Sequence, residues 1–323
     1  MARPSAIPSA RWRGIRRLIA AGLGIAAGLL LLALVWPSAD RRQDNRERRE
    51  ASDLAKPPSR AVTVLVIGVD SERLGDAANH AAPPGPANAD ALLLVRVNPH
   101  GLLQVLSVPT QLAVQLPGQR RPQALGSLYR LGGAALTADA LRELLGLAPG
   151  EPDRFVVLSR GSLRTLVDEL GSVEASPPQL MRYRDRKQGL AINLQAGLQR
   201  LRGDGVEQLA RYRDPLRPVE GRQDQHLEIA QSLRREMAMP HQIVRLPELS
   251  RRLIGAVQTN LSTAELLSLL AVGLNPGQQT EWQPLALAPA RGPGQDRLRE
   301  SAEPPFRALW PAPQAAADAT NQP

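Results

Sequence analysis

Two aspartates and three arginines of this chain are placed where they could handle a charged ester. Asp70 ends the apolar run Val62-Thr63-Val64-Leu65-Val66-Ile67-Gly68-Val69, and Asp90 opens a second run, Ala91-Leu92-Leu93-Leu94-Val95-Arg96-Val97. Acids at the ends of adjacent buried strands can meet on one rim of a sheet, where they could hold a hard cation or work on a phosphate ester. Far downstream, Arg211-Tyr212-Arg213-Asp214 and Gly221-Arg222 could supply the opposite charge. Guanidinium forks fit phosphate oxygens in pairs. Plainer readings stay open. Asp70 and Asp90 also suit the capping of turn amides at strand ends. Arg211 and Arg213 could be neighbours on an extended segment or a solvated helix end. His80, His100, His226 and His241 are scattered without metal-ligand spacing and read as surface histidines. No nucleophile elbow, P-loop or dinucleotide fingerprint is present.

The elements that must position these groups are legible as alternating strand and helix patterns. Val62–Gly68 and Ala91–Asn98 read as buried strands, and Leu102–Val108 as a third. The turn Asn98-Pro99-His100-Gly101 makes the second and third a hairpin. Thr137–Leu145 has helical spacing, and Phe155–Leu158 is a short strand. Leu163, Leu166, Val167 and Leu170 mark a helix stopped by Gly171. Leu190–Leu194 reads as a strand, and Gly205–Arg211 and Gln225–Met239 as helices. After Pro240, Leu246–Val257 and Ser262–Val272 read as two short helices, the second opened by the capping box Ser262-Thr263-Ala264-Glu265. From Pro276 onward Pro, Gly, Ala and Gln dominate, which predicts irregular or disordered chain. The fold class that follows is α/β, with a mixed central sheet flanked by helices.

With 323 residues the chain has room for one large domain or two small ones. Apolar residues make up 43% but aromatics only 3%, so the core must be built from Leu, Val, Ala and Ile. The net charge of +9 comes almost wholly from arginine; Lys56 and Lys187 are the only lysines. That excess suits nucleic acid, anionic lipid or a phosphorylated substrate, or it reflects compositional drift toward arginine. The absence of cysteine excludes thiol catalysis, cysteine-based zinc sites and disulfides.

Leu18 to Trp36 runs nineteen residues without a charge, long enough to cross a bilayer as a helix. No small-x-small cleavage site follows before Pro37, and Trp12 and Trp36 bracket the run. Arginines flank both ends, so the positive-inside count does not set the orientation. The organisation predicted is a tail over 1–17, a transmembrane helix over 18–36, and a charged, proline-bearing stalk over 37–60. A main domain over 61–239, a helical extension over 240–273 and an irregular tail over 274–323 follow.

The order and spacing of several segments resemble the LytR-CpsA-Psr family of bacterial cell-envelope enzymes. These segments are VTVLVIGVDS, NADALLLVRVNPHGLLQVLSVP, RFVVLSRGSLRTLVDELGSVEAS, GLAINLQAGLQRLRGDGVEQLARYRDP and EGRQDQ, with Thr259-Asn260-Leu261-Ser262 beyond them. The resemblance implies a membrane-anchored phosphotransferase with an apolar lipid cleft between sheet and helices. It would take a polyprenyl-pyrophosphate-linked glycopolymer, transfer the polymer to peptidoglycan and release polyprenyl phosphate. It implies Mg²⁺ or Mn²⁺ on Asp70 and Asp90, catalytic roles for Asp70, Asp90 and Arg213, and pyrophosphate binding by Arg211, Arg213 and Arg222. It also implies a single-pass protein with its carboxy-terminal domain outside the cytoplasm, in contact with membrane lipid and peptidoglycan.

The chain departs from the family pattern at charged positions. The usual Pro-Arg-Asp is here Pro109-Thr110-Gln111, and Gln123 stands in place of a lysine. Val219 replaces an acid, and Gln225 and His226 stand where Arg and Gln commonly follow. Each buried charge-assisted contact is worth about 1.5–3 kcal/mol, so these losses could cost several decades unless Arg120, Arg121 or Arg130 substitutes. A degenerate member that binds lipid-linked substrate as an envelope scaffold is the alternative. A nucleic-acid-binding attenuator, a name once given to the family, is a further one. No helix-turn-helix, zinc knuckle or aromatic RNA platform supports it, and no nucleic acid is expected as partner.

Overall fold

The computed structural model describes residues 50–77, 79, 85–289 and 298–300. The transmembrane helix and tail expected over 1–36 lie outside them, as does most of the expected stalk. Among the described residues no helix is long and apolar enough to cross a membrane.

Three strands lead: β1 (Val62–Val69), β2 (Ala89–Val97) and β3 (Leu103–Val108). A small ribbon follows, β4 (Ala113–Val114) and β5 (Gln123–Ala124), then helix α1 (Leu128–Leu145). Next come β6 (Arg154–Leu158), α2 (Arg160–Leu170), β7 (Val173–Ala175), β8 (Met181–Asp185), β9 (Leu190–Leu194) and β10 (Gln199–Leu201). The chain continues through α3 (Gly203–Arg211), α4 (Glu220–Met237), α5 (Pro240–Ile254), β11 (Gln258–Thr259), α6 (Thr263–Gly273) and β12 (Thr280–Pro284). The main sheet runs β11-β6-β1-β2-β3-β12. Its β1–β2 and β2–β3 pairs are antiparallel, whereas β1–β6 and β3–β12 are parallel. The mixed sheet expected from the hairpin is therefore present.

Strand alternation sorts the apolar runs between two jobs. Leu65, Ile67, Leu92 and Leu94 point one way and form a sealed core with Leu128, Leu141 and Leu145 of α1. Val64, Val66, Leu93 and Val95 point the other way, toward α2, α4, α5 and α6. Both faces are covered, which is why these strands read as continuous apolar runs. Beside the sheet, β7–β10 pack with α2 and α3 on a smaller core around Met181, Ile192, Leu194 and Leu209.

Local signals set the helix ends. Ser159 caps α2 by accepting from the Ser162 amide at 3.1 Å, and Ser262 with Glu265 forms the predicted capping box of α6. Helix α1 starts nine residues before the predicted Thr137, because an early turn precedes a break at Gly132–Gly133. Gly133, at φ 66°, adopts a backbone that L side chains avoid, so the apolar periodicity becomes readable only beyond it.

The irregular tail expected from Pro276 needs correction. Thr280–Pro284 pairs with the open edge of β3, which offers unpaired amides and carbonyls. Trp282 packs into the apolar cluster under the sheet, and the Leu285 amide donates to the Ser107 carbonyl at 2.8 Å. The end of the predicted stalk is likewise docked: Ala51 is fully buried with Leu246, Leu249 and Leu274.

Candidate active site

Asp90 owes its position to one surplus residue. Gly68 pairs with Ala91 and Val69 with Ala89, so Asp90 has no partner on β1. This bulge puts Asp90 and Ala91 on the same side, lining a cavity, whereas strict alternation would send Asp90 into the core with Leu92. Arg222, in the first turn of α4 and 5% exposed, grips the aspartate twice. Its Nη2 lies 2.5 Å from Asp90 Oδ2 and donates to the Asp90 carbonyl at 3.0 Å. Burial pushes the Asp90 carboxyl up, but Arg222, Arg213 and His226 outweigh it and hold the group at about 2.

Asp70 follows β1 directly. Its Oδ1 accepts from the Asn88 amide at 2.9 Å, and its own amide donates to the Asn88 carbonyl at 3.1 Å. The capping role open to it in the sequence is therefore real. Burial raises its pKa, the Asn88 contacts lower it, and the negative charge of Asp90 raises it again. The charge of Asp90 thus reaches Asp70, although only Asp90 lines the cavity.

The arginine segment combines the two conformations that the sequence left open. Arg211 is the last residue of α3, Tyr212 is extended and buried, and Arg213 lies beyond, exposed. Arg211, only 12% exposed, donates from Nη1 to Glu207 at 3.2 Å and from Nη2 to Gln188 at 2.9 Å. Burial and the neighbouring Arg160 lower its pKa, opposed by Glu207 and Asp90. Arg213 is shifted the same way by partial burial and by Arg222, with Asp90 and Tyr183 opposing. Arg222 therefore touches Asp90 directly, whereas Arg211 and Arg213 reach it only through the field of its charge.

Sequence reasoning missed a second charged set at the same mouth. Glu207, 12% exposed, receives Arg160 Nη1 at 2.7 Å and is also bonded by Arg164 and Arg211. Arg160 further donates to the Asp70 carbonyl at 3.0 Å and lies 3.4 Å from Glu72, which also holds Arg164. The one available signal was spacing. Arg160 and Arg164 stand four apart on α2, and Glu207 and Arg211 four apart on α3, with complementary signs. His226 was expected at the surface, but its side chain lines the mouth. Burial and Arg222 hold its imidazole down to about 4, against Asp90 and the Ala210 carbonyl, so it is neutral at neutral pH.

Behind these groups lies an apolar cavity of about 450 Å³. Val64, Val66, Leu93 and Val95 of the sheet form its floor, and Ile229, Leu246, Leu253 and Leu269 of the helices line the rest. The volume falls in the range of ligand pockets, roughly 300–1,000 Å³. At the deep side Arg234 ties α4 to the end of α6 through the Gly273 carbonyl at 2.7 Å. Arg120 and Arg121 are exposed on the loop between β4 and β5, and neither lines the cavity. Gln123 sits in that ribbon opposite Val114. Thr110 lies against Gly126, where a Cβ would come within 2.5 Å of the Ala89 carbonyl.

Among the described residues no three His, Asp or Glu side chains cluster to hold a metal ion. Asp70 and Asp90 supply two mutually repelling hard carboxylates. That donor set fits a divalent cation that draws its remaining ligands from water and phosphate oxygens.

The model of the LytR_cpsA_psr family matches residues 35–280. The chain belongs to this family. Among relatives, the Regulatory protein MsrR of Staphylococcus aureus (strain COL) is 25% identical over 201 residues, covering 62% of this chain and 56% of MsrR. The Polyisoprenyl-teichoic acid–peptidoglycan teichoic acid transferase TagV of Bacillus subtilis (strain 168) is 22% identical over 239 residues, covering 72% of this chain and 58% of TagV. The chain thus spans somewhat over half the length of these relatives. Among solved structures, B. subtilis TagV superposes with a TM-score of 0.61 at 19% identity, covering 76% of this chain and 91% of TagV. TagT bound to LI-WTA superposes at 0.54 and 18% identity, covering 75% and 84%. These likenesses confirm the LytR_cpsA_psr fold, a mixed sheet flanked by helices.

Proposed function

We propose that this LytR_cpsA_psr member is a membrane-anchored phosphotransferase of the cell envelope. It takes a polyprenyl-pyrophosphate-linked glycopolymer and passes the polymer to peptidoglycan outside the cytoplasm. The observation that carries this reading is the juxtaposition of an apolar cavity of about 450 Å³ with Asp90, Arg211 and His226 at its mouth. Apolar walls shelter a prenyl chain, and the mouth meets the diphosphate. An acceptor hydroxyl attacks the phosphorus that bears the sugar, a new P–O bond forms, and the bridging P–O bond breaks to release polyprenyl phosphate. Asp70 takes the hydroxyl proton. Arg211 and Arg213 bear on the diphosphate oxygens, and Arg222 keeps Asp90 ionised.

Charge balance supports a divalent cation at Asp70 and Asp90. Arg160, Arg164, Arg211, Arg213 and Arg222 face Glu72, Glu207, Asp70 and Asp90, which leaves one positive charge in excess; Asp204, 90% exposed, is screened by water. A diphosphate diester brings about two negative charges, so the protein alone falls short of neutrality. Mg²⁺ or Mn²⁺, when bound, would more than offset the remaining negative charge and polarise the phosphoryl oxygens. The test uses the full chain in detergent micelles with a prenyl-diphosphate-linked oligosaccharide, a peptidoglycan fragment and Mg²⁺. Release of prenyl phosphate that vanishes in Asp90→Ala and Arg213→Ala supports the transferase. Binding of the lipid without release refutes it and leaves the scaffold reading.

A further inference from the structure

The helical turn that carries Arg222 lacks the usual local support. The first amides of a helix have no partner within it, and a side-chain cap commonly holds them. Ser159 and Ser262 do this for α2 and α6. Helix α4 starts after Val219, whose apolar side chain can accept nothing and makes no cap. Helix ends without such support fray. Yet this turn must hold Arg222 against Asp90, with Nη2 2.5 Å from Asp90 Oδ2.

The support comes from the chain beyond β12. Gln223, buried in the same turn, donates from Nε2 to the Ser107 carbonyl at 3.0 Å and to the Leu285 carbonyl at 3.1 Å. Further on, Arg299 forms a bridge beside Leu112. Its amide donates to the Gln111 carbonyl at 2.9 Å, and its carbonyl accepts from the Ala113 amide at 2.8 Å. With its backbone fixed there, Arg299 donates from Nε to the Ala288 carbonyl at 2.8 Å and from Nη2 to Glu220 at 3.3 Å. The Arg299 side chain is only 8% exposed, and a guanidinium so buried needs an anion; Glu220 is the one it pairs with. Glu220 is the first residue of α4. Two positions apart on a helix, Glu220 and Arg222 leave from opposite sides. The turn is thus braced through Glu220 by Arg299, through Gln223 by β3 and Leu285, and through Arg222 by Asp90. Arg299 itself does not line the cavity. We infer that Arg299 is a positioning residue of the rim: through Glu220 it sets the first turn of α4 and so keeps Arg222 on Asp90. For catalysis this rests on the reading of the mouth as a diphosphate site; for the geometry of the rim it does not.

The experiment uses the full chain in neutral detergent micelles and the variants Arg299→Gln, Arg299→Lys and Glu220→Gln. Side-chain NMR follows hydrogen exchange of the Arg222 guanidinium, its signal identified by loss in Arg222→Met. The amide of Leu65, in the sealed core, reports global opening. The Arg222 protons should exchange about tenfold faster in Arg299→Gln and in Glu220→Gln, with Leu65 unchanged. Arg299→Lys should regain most of the protection. In Arg299→Gln, prenyl phosphate release should fall about tenfold in kcat while the Kd for farnesyl diphosphate stays within about twofold, because Arg299 touches no part of the cavity. Unchanged exchange at Arg222 in both variants overturns the inference. So does faster exchange at Arg222 and Leu65 together, which would make Arg299 a general staple of the fold. If Arg299→Gln does not fold, Glu220→Gln decides alone, since it alters a side chain 42% exposed. If the wild-type chain releases no prenyl phosphate while Arg222 exchange responds as expected, the transferase reading fails and the positioning of Arg222 stands.

Discussion

Replacing Arg222 with methionine should reverse the sign of what Asp90 contributes to stability. In the native protein Asp90 is held at about 2, below its ordinary 3.8, so its pairing stabilises the fold above pH ~4 and is lost as pH falls through 2. The shift corresponds to about 2.5 kcal/mol at face value. Asp90 keeps 36% of its side-chain area open to water, so roughly 1–2 kcal/mol is the screened figure. His226 adds to the same slope: held at about 4 against an ordinary 6.5, it stays neutral in the fold while the unfolded chain takes up a proton. Stability therefore declines from pH ~6.5 to ~2 through both groups. Arg222→Met leaves burial of Asp90 opposed only by the weaker pull of Arg213 and His226, and removes the cation that adds to burial in depressing His226. Breaking so buried a pair costs about 3 kcal/mol at pH 7, the low end for one-sided removal because Asp90 is part exposed. That cost should shrink on acidification, since in the variant both groups are then protonated and no unpaired charge stays buried. Urea denaturation of both proteins at pH 7, 5, 4 and 3 measures it. A difference that stays constant across these values would refute the argument that Arg222 sets the charge state of the rim.

Three further outcomes follow from the same geometry. Glu207→Gln, which leaves Arg160, Arg164 and Arg211 without their shared anion, should cost about 2–4 kcal/mol in urea denaturation and lower divalent-dependent prenyl phosphate release. His226→Gln should flatten the stability profile between pH 6.5 and 4 while leaving it intact near pH 8; an unchanged slope would mean the imidazole is not shielded. Ala230→Phe, which pushes a ring into the cavity from α4, should weaken farnesyl diphosphate binding by about tenfold while inorganic pyrophosphate binds as before.

What could be read from the chain before folding was whatever depends on local pattern. β1, β2 and β3 were visible because both of their faces are covered by protein, so no polar alternation interrupts them. Asp70 and Asp90 stood out because they punctuate those runs. The ion network around Glu207 was hidden because its members come from α2, α3 and the segment after β1, and only packing brings them together. Arg211 and Arg213 could not be told apart, since Tyr212 turns the chain out of the helix by inserting its ring in a core that no local pattern announces. β12 was missed because Gln, Pro and Gly around it argue for loop, while the open edge of β3 and the burial of Trp282 override that preference. The transmembrane helix expected over 18–36 belongs to residues outside those described.

The surplus residue in β2 has a further consequence for how this protein can vary. The connection between Glu72 and Asn88 can lengthen or shorten without moving Asp90, because the acid's aim is written into the strand pairing and not into the loop. A one-residue deletion inside Ala91–Val97 is another matter. It would swap the strand's two sides, sending Leu92 and Leu94 toward the guest chamber and Leu93 and Val95 against α1. Tolerance to insertion and deletion should therefore change abruptly at this kink, generous on its upstream side and near zero beyond it.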